Sequence, residues 1–357
     1  MNQDKNASFV RVNACRSVPA FSLLVIIVSV AASVARSQEV QAPNTLPVNT
    51  VIANVKVGKS PVGVVVSPDS NSVYVANFSS NTVSVIDAQT NTKKKSILVG
   101  TAPYDLAISS DGSTLYVSQF TSPGAVTVID LTNGNSIQTI TGISPYPLGI
   151  DLSPDGTQLW VGCQAPPGMG TTGNIDRIDT ANNQVLGSVT VPDGCERLAF
   201  TPDGNKVYAT GPIGIISVVS TATGSVTATI PESPRYIEES AGMAMKGQRA
   251  YVLVNVGYNE LTGLLLIINT ATDNVIKRVH FSAEAGDRPA LLPNAPYLYI
   301  PKNTPSAVTL FDTKTNTRRA DGVTCAYGAY DVAIAPNGAR AYVTDGLANT
   351  VTVIQIQ

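Results

Sequence analysis

The chain has 357 residues, of which 43% are hydrophobic and 13% charged, with a formal net charge of −2 at pH 7. A chain of this length can bury a large core without covalent staples. Its low, mildly acidic charge excludes the basic footprint of a nucleic-acid-binding protein. The one basic run, Lys93-Lys94-Lys95, is expected at a strand edge, where charged residues block edge pairing. Four cysteines are too few for a disulfide-built scaffold.

The first 35 residues have the organisation of a secretory signal peptide. A basic segment, 1–19, precedes a continuous apolar stretch, 20–34, and Ser33-Val34-Ala35 supplies a small-x-small cleavage pattern. The alternative is an uncleaved anchor helix, but the stretch is short for a span of about 20 residues. We therefore expect a secreted or periplasmic protein with a net charge of −4 after cleavage and no remaining membrane attachment. Residues 36–49 are expected to form a flexible polar leader.

From residue 50 to residue 357 one phrase occurs seven times. It combines an apolar run, a turn of the type Ser-Pro-Asp-Gly, a Tyr-Val pair and a run of the type Asn-Thr-Val-x-Val-Ile-Asp. Successive copies lie 42 to 48 residues apart, a period that indicates an array of supersecondary units. The aromatic anchors of the seven copies are Tyr74, Tyr116, Trp160, Tyr208, Tyr251, Tyr299 and Tyr342.

Each copy is predicted to form four short antiparallel strands. In the second copy the four strands are expected at 106–109, 115–118, 125–130 and 136–141, with a turn at 110–113 and an Asn-Gly hairpin turn at 133–134. A single four-stranded sheet cannot bury both faces, and seven of them stacked around a channel can. The sequence therefore predicts an all-β fold, a seven-bladed β-propeller with four-stranded antiparallel blades. The Asp or Asn that ends most third strands is expected to cap the following turn.

The two ends of the repeat array predict how the ring closes. The last copy ends in its third strand, 349–354, and lacks a fourth. Segment 50–58 precedes the first copy and matches the fourth strands of other copies. We expect this N-terminal strand to complete the seventh blade, and the protein to be a monomer.

The sequence resembles the YVTN family of β-propeller repeat proteins, which are secreted or surface-layer-associated in prokaryotes. The resemblance rests on Tyr74-Val75-Ala76-Asn77 with 81–87, and on Tyr342-Val343-Thr344-Asp345 with 349–351. It covers about residues 50–357 and implies the fold rather than an activity. Copies 232–281 and 282–325 depart most from the pattern, which marks them as places where function has been added.

Motifs for catalysis, metals and cofactors are absent from the sequence. The single histidine, His280, ends a fourth-strand pattern and is expected on the outer rim. One histidine cannot build a multi-histidine zinc site. No P-loop, dinucleotide-binding motif, nucleophile elbow or calcium loop is present. We therefore expect neither a metal nor a cofactor.

Residues that vary between copies point to one mouth of the channel. We aligned the copies on their anchors and read eleven and twelve positions upstream and three positions downstream. The loops Gln164–Asn174 and Asn255–Gly263 are expected to rise beside the same mouth. The candidate ligand-binding residues are Tyr104, Asp105, Glu196, Arg197, Arg235, Tyr236, Glu238, Glu239, Asp287, Arg288, Lys302, Tyr330 and Asp331.

These charged pairs are compatible with a ligand pocket or with a solvated, mutually neutralising rim. The first functional hypothesis is a module that binds a small molecule, a glycan or a protein at the mouth. The alternative is a metal-independent lyase or lactone hydrolase that uses the Arg/Glu/Asp cluster. Replacing Arg197 or Arg288 by alanine is expected to abolish binding with little loss of stability. A disulfide between Cys163 and Cys195 is also predicted, with Cys325 unpaired.

Overall fold

A computed structural model describes residues 48–164, 172–212, 214–231, 237–256, 262–281, 286–319 and 322–357, without the side chains of 237–241, 256 and 262. The predicted signal peptide, 1–35, and most of the predicted leader, 36–49, lie outside the described residues. Seven antiparallel sheets follow one another along the chain, each with its first strand innermost. Each first strand contacts the first strand of the next blade, and the seventh contacts the first, so the sheets form a closed ring.

Blades one to four are regular four-stranded sheets. Blade one comprises β2 (Pro61–Val66), β3 (Ser72–Asn77), β4 (Thr82–Asp87) and β5 (Thr92–Leu98), with a 3-10 turn at Phe78–Ser80. Blade two comprises β6 (Pro103–Ile108), β7 (Thr114–Gln119), β8 (Gly124–Asp130) and β9 (Ser136–Ile143). Blade three comprises β10 (Pro147–Leu152), β11 (Gln158–Cys163), β12 (Gly173–Asp179) and β13 (Gln184–Val191). Blade four comprises β14 (Arg197–Phe200), β15 (Lys206–Thr210), β16 (Ile215–Ser220) and β17 (Ser225–Pro231).

Blades five to seven contain the irregular parts of the ring. Blade five comprises β18 (Ile237–Lys246), β19 (Arg249–Val256), β20 (Thr262–Asn269) and β21 (Asn274–His280). Blade six comprises β22 (Ala290–Leu291), β23 (Tyr297–Lys302), β24 (Ala307–Asp312) and two short outer pieces, β25 (Thr317–Arg318) and β26 (Val323–Thr324). Blade seven comprises β27 (Ala329–Ile334), β28 (Arg340–Asp345), β29 (Thr350–Ile356) and the N-terminal β1 (Asn49–Lys56).

The predicted ring closure agrees with this topology. β1 pairs antiparallel with β29, from Asn49 opposite Ile356 to Lys56 opposite Thr350. Val55 and Val57 then lie buried in the apolar layer between blades seven and one. The N-terminal strand therefore supplies both a hydrogen-bonded edge and part of the core.

The core consists of apolar layers between adjacent blades. Each layer is built from one sheet face of each neighbour, and all seven aromatic anchors are buried in these layers or at their edges. Removing this apolar surface from water is the main force that holds blade to blade. Fourth strands face solvent on the outer rim, and His280 is exposed there, as predicted.

The repeated turn residues have the structural roles that the sequence predicts. Gly112 and its counterparts in other copies adopt a φ near +72°, which favours glycine. The carboxylate of Asp87 accepts hydrogen bonds from the backbone amides of Gln89 and Thr90 at 2.8 and 2.9 Å. Asp130 and Asp312 cap the corresponding turns in the same way. This column of acidic residues therefore serves the repeat.

Candidate functional site

β-Bulges at the start of the inner strands build the site. In blades one, two, three and seven, the register between the first and second strands shifts just after the first paired residue. The shift falls on the two positions that lie twelve and eleven residues before the anchor. Bulges re-aim side chains and are frequent beside functional sites. In blades two and seven the bulged pairs are Tyr104-Asp105 and Tyr330-Asp331.

Hydroxyl side chains satisfy the amides that these bulges leave unpaired. The amide of Asp105 donates to Ser118 Oγ at 2.9 Å, and Ser118 donates onward to the carbonyl of Leu148 in blade three at 2.5 Å. Blade seven repeats this arrangement, since the amide of Asp331 donates to Thr344 at 3.0 Å. Each bulge is therefore fastened to the following blade.

Arg288 of blade six reaches two carboxylates of other blades. Its Nη2 atom donates to Asp331 Oδ2 at 3.0 Å and also to Asp105 Oδ1. The side chains of both aspartates are only 2% exposed, whereas that of Arg288 is 27% exposed. One guanidinium thus joins blades two, six and seven.

Arg197 of blade four forms a second buried pair, with Asp287 of blade six. Its Nε atom donates to Asp287 Oδ1 at 2.7 Å, and Nη2 contacts Oδ2. The guanidinium lies 4.6 Å from the ring centroid of Tyr104, within the range of a cation–π interaction. The hydroxyl of Tyr104 is 2.6 Å from that of Tyr330. These residues, with Asp105, Arg288 and Asp331, form one network, which we call the ionic plug.

Charges in the ionic plug are nearly balanced. Burial disfavours the charge of Arg288, but Asp105 and Asp331 more than offset this effect and raise the pKa of its guanidinium. Burial also opposes the charge of Arg197, and its pKa is nevertheless raised, mainly by Tyr104 and Asp105. Three carboxyl groups face two guanidinium groups, so both guanidinium groups of the ionic plug are already paired. Burial raises the pKa of one of these carboxyl groups, that of Asp331.

Backbone amides fill most of the remaining acceptor positions of the plug carboxylates. Asp331 accepts from the amides of Val64 and Val332 at 3.0 and 2.8 Å. Asp105 accepts from Leu106 and Ile150 at 2.7 and 3.2 Å. Because Arg197 and Arg288 are committed to buried pairs, the expectation that their loss leaves stability unchanged is not supported by this geometry. Removing either guanidinium leaves uncompensated buried charge.

Tyr104 of the ionic plug is grouped with three further aromatic rings, and the sequence alignment missed those three. Tyr104 and Phe120 have ring centroids 6.3 Å apart, and Phe120 and Tyr146 have centroids 5.3 Å apart. Phe78 lies 6.3 Å from Tyr104 and 6.4 Å from Phe120. All four are partly exposed. We call Phe78, Tyr104, Phe120 and Tyr146 the aromatic row.

The aromatic row comes from blades one to three, and the sequence contained a signal for it. Phe78 and Phe120 each stand four residues after an anchor, directly after the second strand. Tyr146 lies just before the first strand of blade three, at the same end of that sheet. Reading one position further downstream would have found the two phenylalanines.

The remaining candidate residues are placed less completely. Glu196 is partly exposed and accepts a hydrogen bond from Gln164 of blade three. Lys302 is buried at the end of β23, where burial lowers the pKa of its amine. Arg235 and Tyr236 lie outside the described residues, as do most residues of the two long loops. Glu238 and Glu239 are on β18, and their side chains are not described.

The predicted disulfide between Cys163 and Cys195 is not formed, and both thiols are free. Cys163 packs with Leu159 and Val161 in the layer between blades two and three. Cys195 packs with Trp160 in the layer between blades three and four. Since Trp160 and Val161 point to opposite faces of one sheet, blade three separates the two sulfur atoms. Cys325 is also a free thiol.

Two further kinds of feature are absent from the described residues. No group of three or more His, Cys, Asp or Glu side chains in these ranges is arranged to hold a metal ion. No helix in the same part of the chain is long and apolar enough to span a membrane.

Comparison with known proteins identifies the class of fold. No protein-family model matches the chain, and no curated protein matches it. Among solved structures it is similar to a chain of Kuenenia stuttgartiensis hydrazine synthase, with a TM-score of 0.73, 22% identity and coverage of 89% of this chain and 98% of that one. The chain is a seven-bladed β-propeller. Because 1763 solved chains match it, the likeness defines the fold alone. The YVTN relationship stays a prediction.

Proposed function

We propose that this propeller is an exported binding module whose ligand is an uncharged, hydroxyl-rich ring compound, such as a sugar unit of a glycan. The observation that carries the proposal is the aromatic row, in which four partly exposed rings from three blades meet beside the ionic plug. Aromatic rings grouped on a rigid scaffold supply large contact area at low entropic cost.

The charge balance of the mouth favours an uncharged ligand. Both plug arginines are already paired with aspartate side chains, which outnumber them three to two. An anionic ligand would have to displace a buried aspartate from its arginine. A hydroxyl group needs only an exposed acceptor or donor, and Gln164 and Glu196 stand at the margin of the same mouth, partly exposed. Hydrogen bonds from such groups fix orientation, while the rings supply contact area.

Alanine substitutions in the aromatic row test the binding proposal. We expect Phe120→Ala and Tyr146→Ala each to weaken binding of an oligosaccharide about tenfold, since one stacked ring contributes on the order of 1 kcal/mol. Thermal-shift screening of the chain from residue 36 against neutral and acidic oligosaccharides first identifies the ligand. Calorimetric titration then compares the variants with the parent.

The matched control is Ile276→Ala, which removes a side chain that is 55% exposed on the outer strand of blade five. It should bind like the parent protein. Failure of every sugar to stabilise the protein would contradict the glycan proposal. Selective capture of one protein partner, lost on Phe120→Ala, would retain the mouth as a binding site and replace the ligand class.

The enzymatic alternative rests on a different residue. Burial raises the pKa of Asp151 to about 6, although the amides of Leu152 and Phe200 donate to its carboxylate at 3.0 Å each. The charge of Arg288 also acts on this group. A carboxyl with such a pKa can exchange protons near neutral pH, as a lyase or lactone hydrolase requires. Turnover of a lactone or uronate that is lost in Asp151→Asn, with binding retained, would favour this alternative.

A further inference from the structure

A chain of hydrogen bonds crosses the seam where the ring closes. Asn54 of the closing strand β1 lies opposite Thr352 of β29, and its Oδ1 atom is 2.9 Å from the Thr352 hydroxyl. The same hydroxyl lies 2.8 Å from Oδ2 of Asp345 on β28. The amide of Ala326 also donates to it, at 3.2 Å. Asp345, Thr352 and Asn54 thus connect three adjacent strands, and we call them the seam triad.

Asp345 is a poorly compensated buried acid. Its side chain is fully buried, and its Oδ2 atom accepts from the hydroxyls of Thr350 and Thr352. Its Oδ1 atom has no hydrogen-bond partner in the described part of the chain. No ion pair involving Asp345 occurs among the described residues. A buried carboxylate that is not paired with a cation is costly in its charged form.

The charged and titratable groups around Asp345 do not neutralise it. Cys325, on the segment that enters blade seven, is the neighbouring titratable group, and burial raises the pKa of its thiol to about 12, so it stays neutral. Lys56 ends β1 opposite Thr350, but it is exposed and makes no ion pair with Asp345. The two threonines that donate to Asp345 carry no charge.

Asp345 is the one acidic residue at this repeat position, where five of the other six copies have an uncharged residue and blade six has Lys302. Blade one has Asn77 there, which donates from Nδ2 to the carbonyl of Thr82 at 3.1 Å and to Ser84 Oγ at 3.0 Å. Blade two has Gln119. Thr82 and Ser84 correspond to Thr350 and Thr352 in the repeat. The fold of a blade therefore does not require an acidic residue at this position.

We propose that Asp345 makes closure of the ring dependent on pH, with protonation of its carboxyl group strengthening the seam. The threonine hydroxyl has one proton to donate. When Asp345 is ionised, Thr352 donates to it, and Asn54 Oδ1 loses that donor. When Asp345 is protonated, its O–H can donate to Thr352 Oγ1, and the threonine proton becomes available to Asn54. Protonation also removes the buried charge.

The direction of the effect follows from linkage. Burial raises the pKa of Asp345 from 3.8 to about 6 in the folded protein. The contribution of this group to stability is therefore fully present below about pH 4 and is lost as the pH rises through about 6. A difference of about two pKa units corresponds to a change of up to about 100-fold in the closing equilibrium.

Hydrogen exchange of the amides of β1 and β29 tests the seam triad. After correction for intrinsic exchange rates, protection of these amides in the parent protein should fall up to about 100-fold between pH 4 and pH 8, with a midpoint near 6. In Asp345→Asn, which installs the residue type of blade one, protection should be high and nearly independent of pH. Protection of the amides of blade two serves as the reference, because a change in global stability would alter it as well.

The control is Asp111→Asn, in an exposed turn where hydrogen bonds lower the pKa of the carboxyl to about 2. In this variant, protection of the β1 and β29 amides should show the same pH dependence as in the parent protein. The proposal fails if Asp345→Asn keeps the same pH dependence of seam protection. It also fails if the parent protein shows no pH dependence confined to the seam, a measurement that needs no variant.

Discussion

Replacing Arg288 by methionine is expected to lower the free energy of unfolding by about 3 kcal/mol at neutral pH. The change removes the shared partner of Asp105 and Asp331, whose side chains are almost completely buried. Backbone amides still reach both carboxylates, but the cation that forms ion pairs with both of them is gone. Methionine keeps much of the side-chain volume, so the loss reports charge rather than a cavity. Urea denaturation of the parent and variant measures the difference.

Two further variants distinguish the effect of an uncompensated buried charge from the unspecific destabilisation that a substitution can cause. Lys94→Met removes the partner of Asp87 in an ion pair whose lysine is 52% exposed, and it should change the free energy of unfolding far less than Arg288→Met does. Adding Asp105→Asn to Arg288→Met should recover part of the loss, because one uncompensated charge disappears. A loss for Arg288→Met no larger than that for Lys94→Met would show that the ionic plug does not stabilise the ring.

The fold was predictable because every blade repeats the same sequence pattern. The anchors, exemplified by Trp160, and the turn glycines, exemplified by Gly112, are fixed by the needs of one unit and so recur in each. The closing strand was equally readable, since a fourth-strand pattern precedes the first copy and is missing from the last. Blade six departs from the pattern in both sequence and structure, with a two-residue first strand and a divided outer edge.

The candidate site was predictable in position and not in pairing. Aligning the copies placed Asp105 and Arg288 at equivalent heights in different blades, but their contact joins residues 183 positions apart. Which side chains meet across a channel depends on the inter-blade geometry and on the bulges, neither of which has a sequence signal of its own. For this reason the alignment predicted a cluster of charged residues but did not decide whether these residues neutralise one another.

The failed disulfide shows the limit of proximity arguments. Cys163 and Cys195 do come close along the backbone, since the amide of Cys195 donates to the carbonyl of Cys163 at 3.3 Å. Side-chain alternation then decides the outcome, because the two sulfur atoms lie on opposite faces of blade three. Parity along β11, where Val161 and Cys163 share a face opposite to that of Trp160, would have argued against the bond.

Deleting residues 48–58 is expected to lower the melting temperature by on the order of 10 °C or to cause aggregation. The deletion removes the whole of β1 and leaves β29 as an unpaired edge. It also removes Val55 and Val57 from the layer between blades seven and one, and each buried valine contributes about 1.5–3 kcal/mol. Calorimetry and light scattering compare the chain from residue 59 with the chain from residue 48.

A permuted variant distinguishes loss of closure from loss of chain length. Val48 and Gln357 exchange backbone hydrogen bonds at 3.0 and 3.3 Å, so the closing strand starts where β29 ends. Residues 48–58 can therefore follow Gln357 through a two-residue Asn-Gly turn, which suits a tight antiparallel hairpin. This variant, with its chain beginning at residue 59, should regain most of the lost stability. Equal melting of the truncated and parent chains would instead mean that the N-terminal strand does not hold the ring closed.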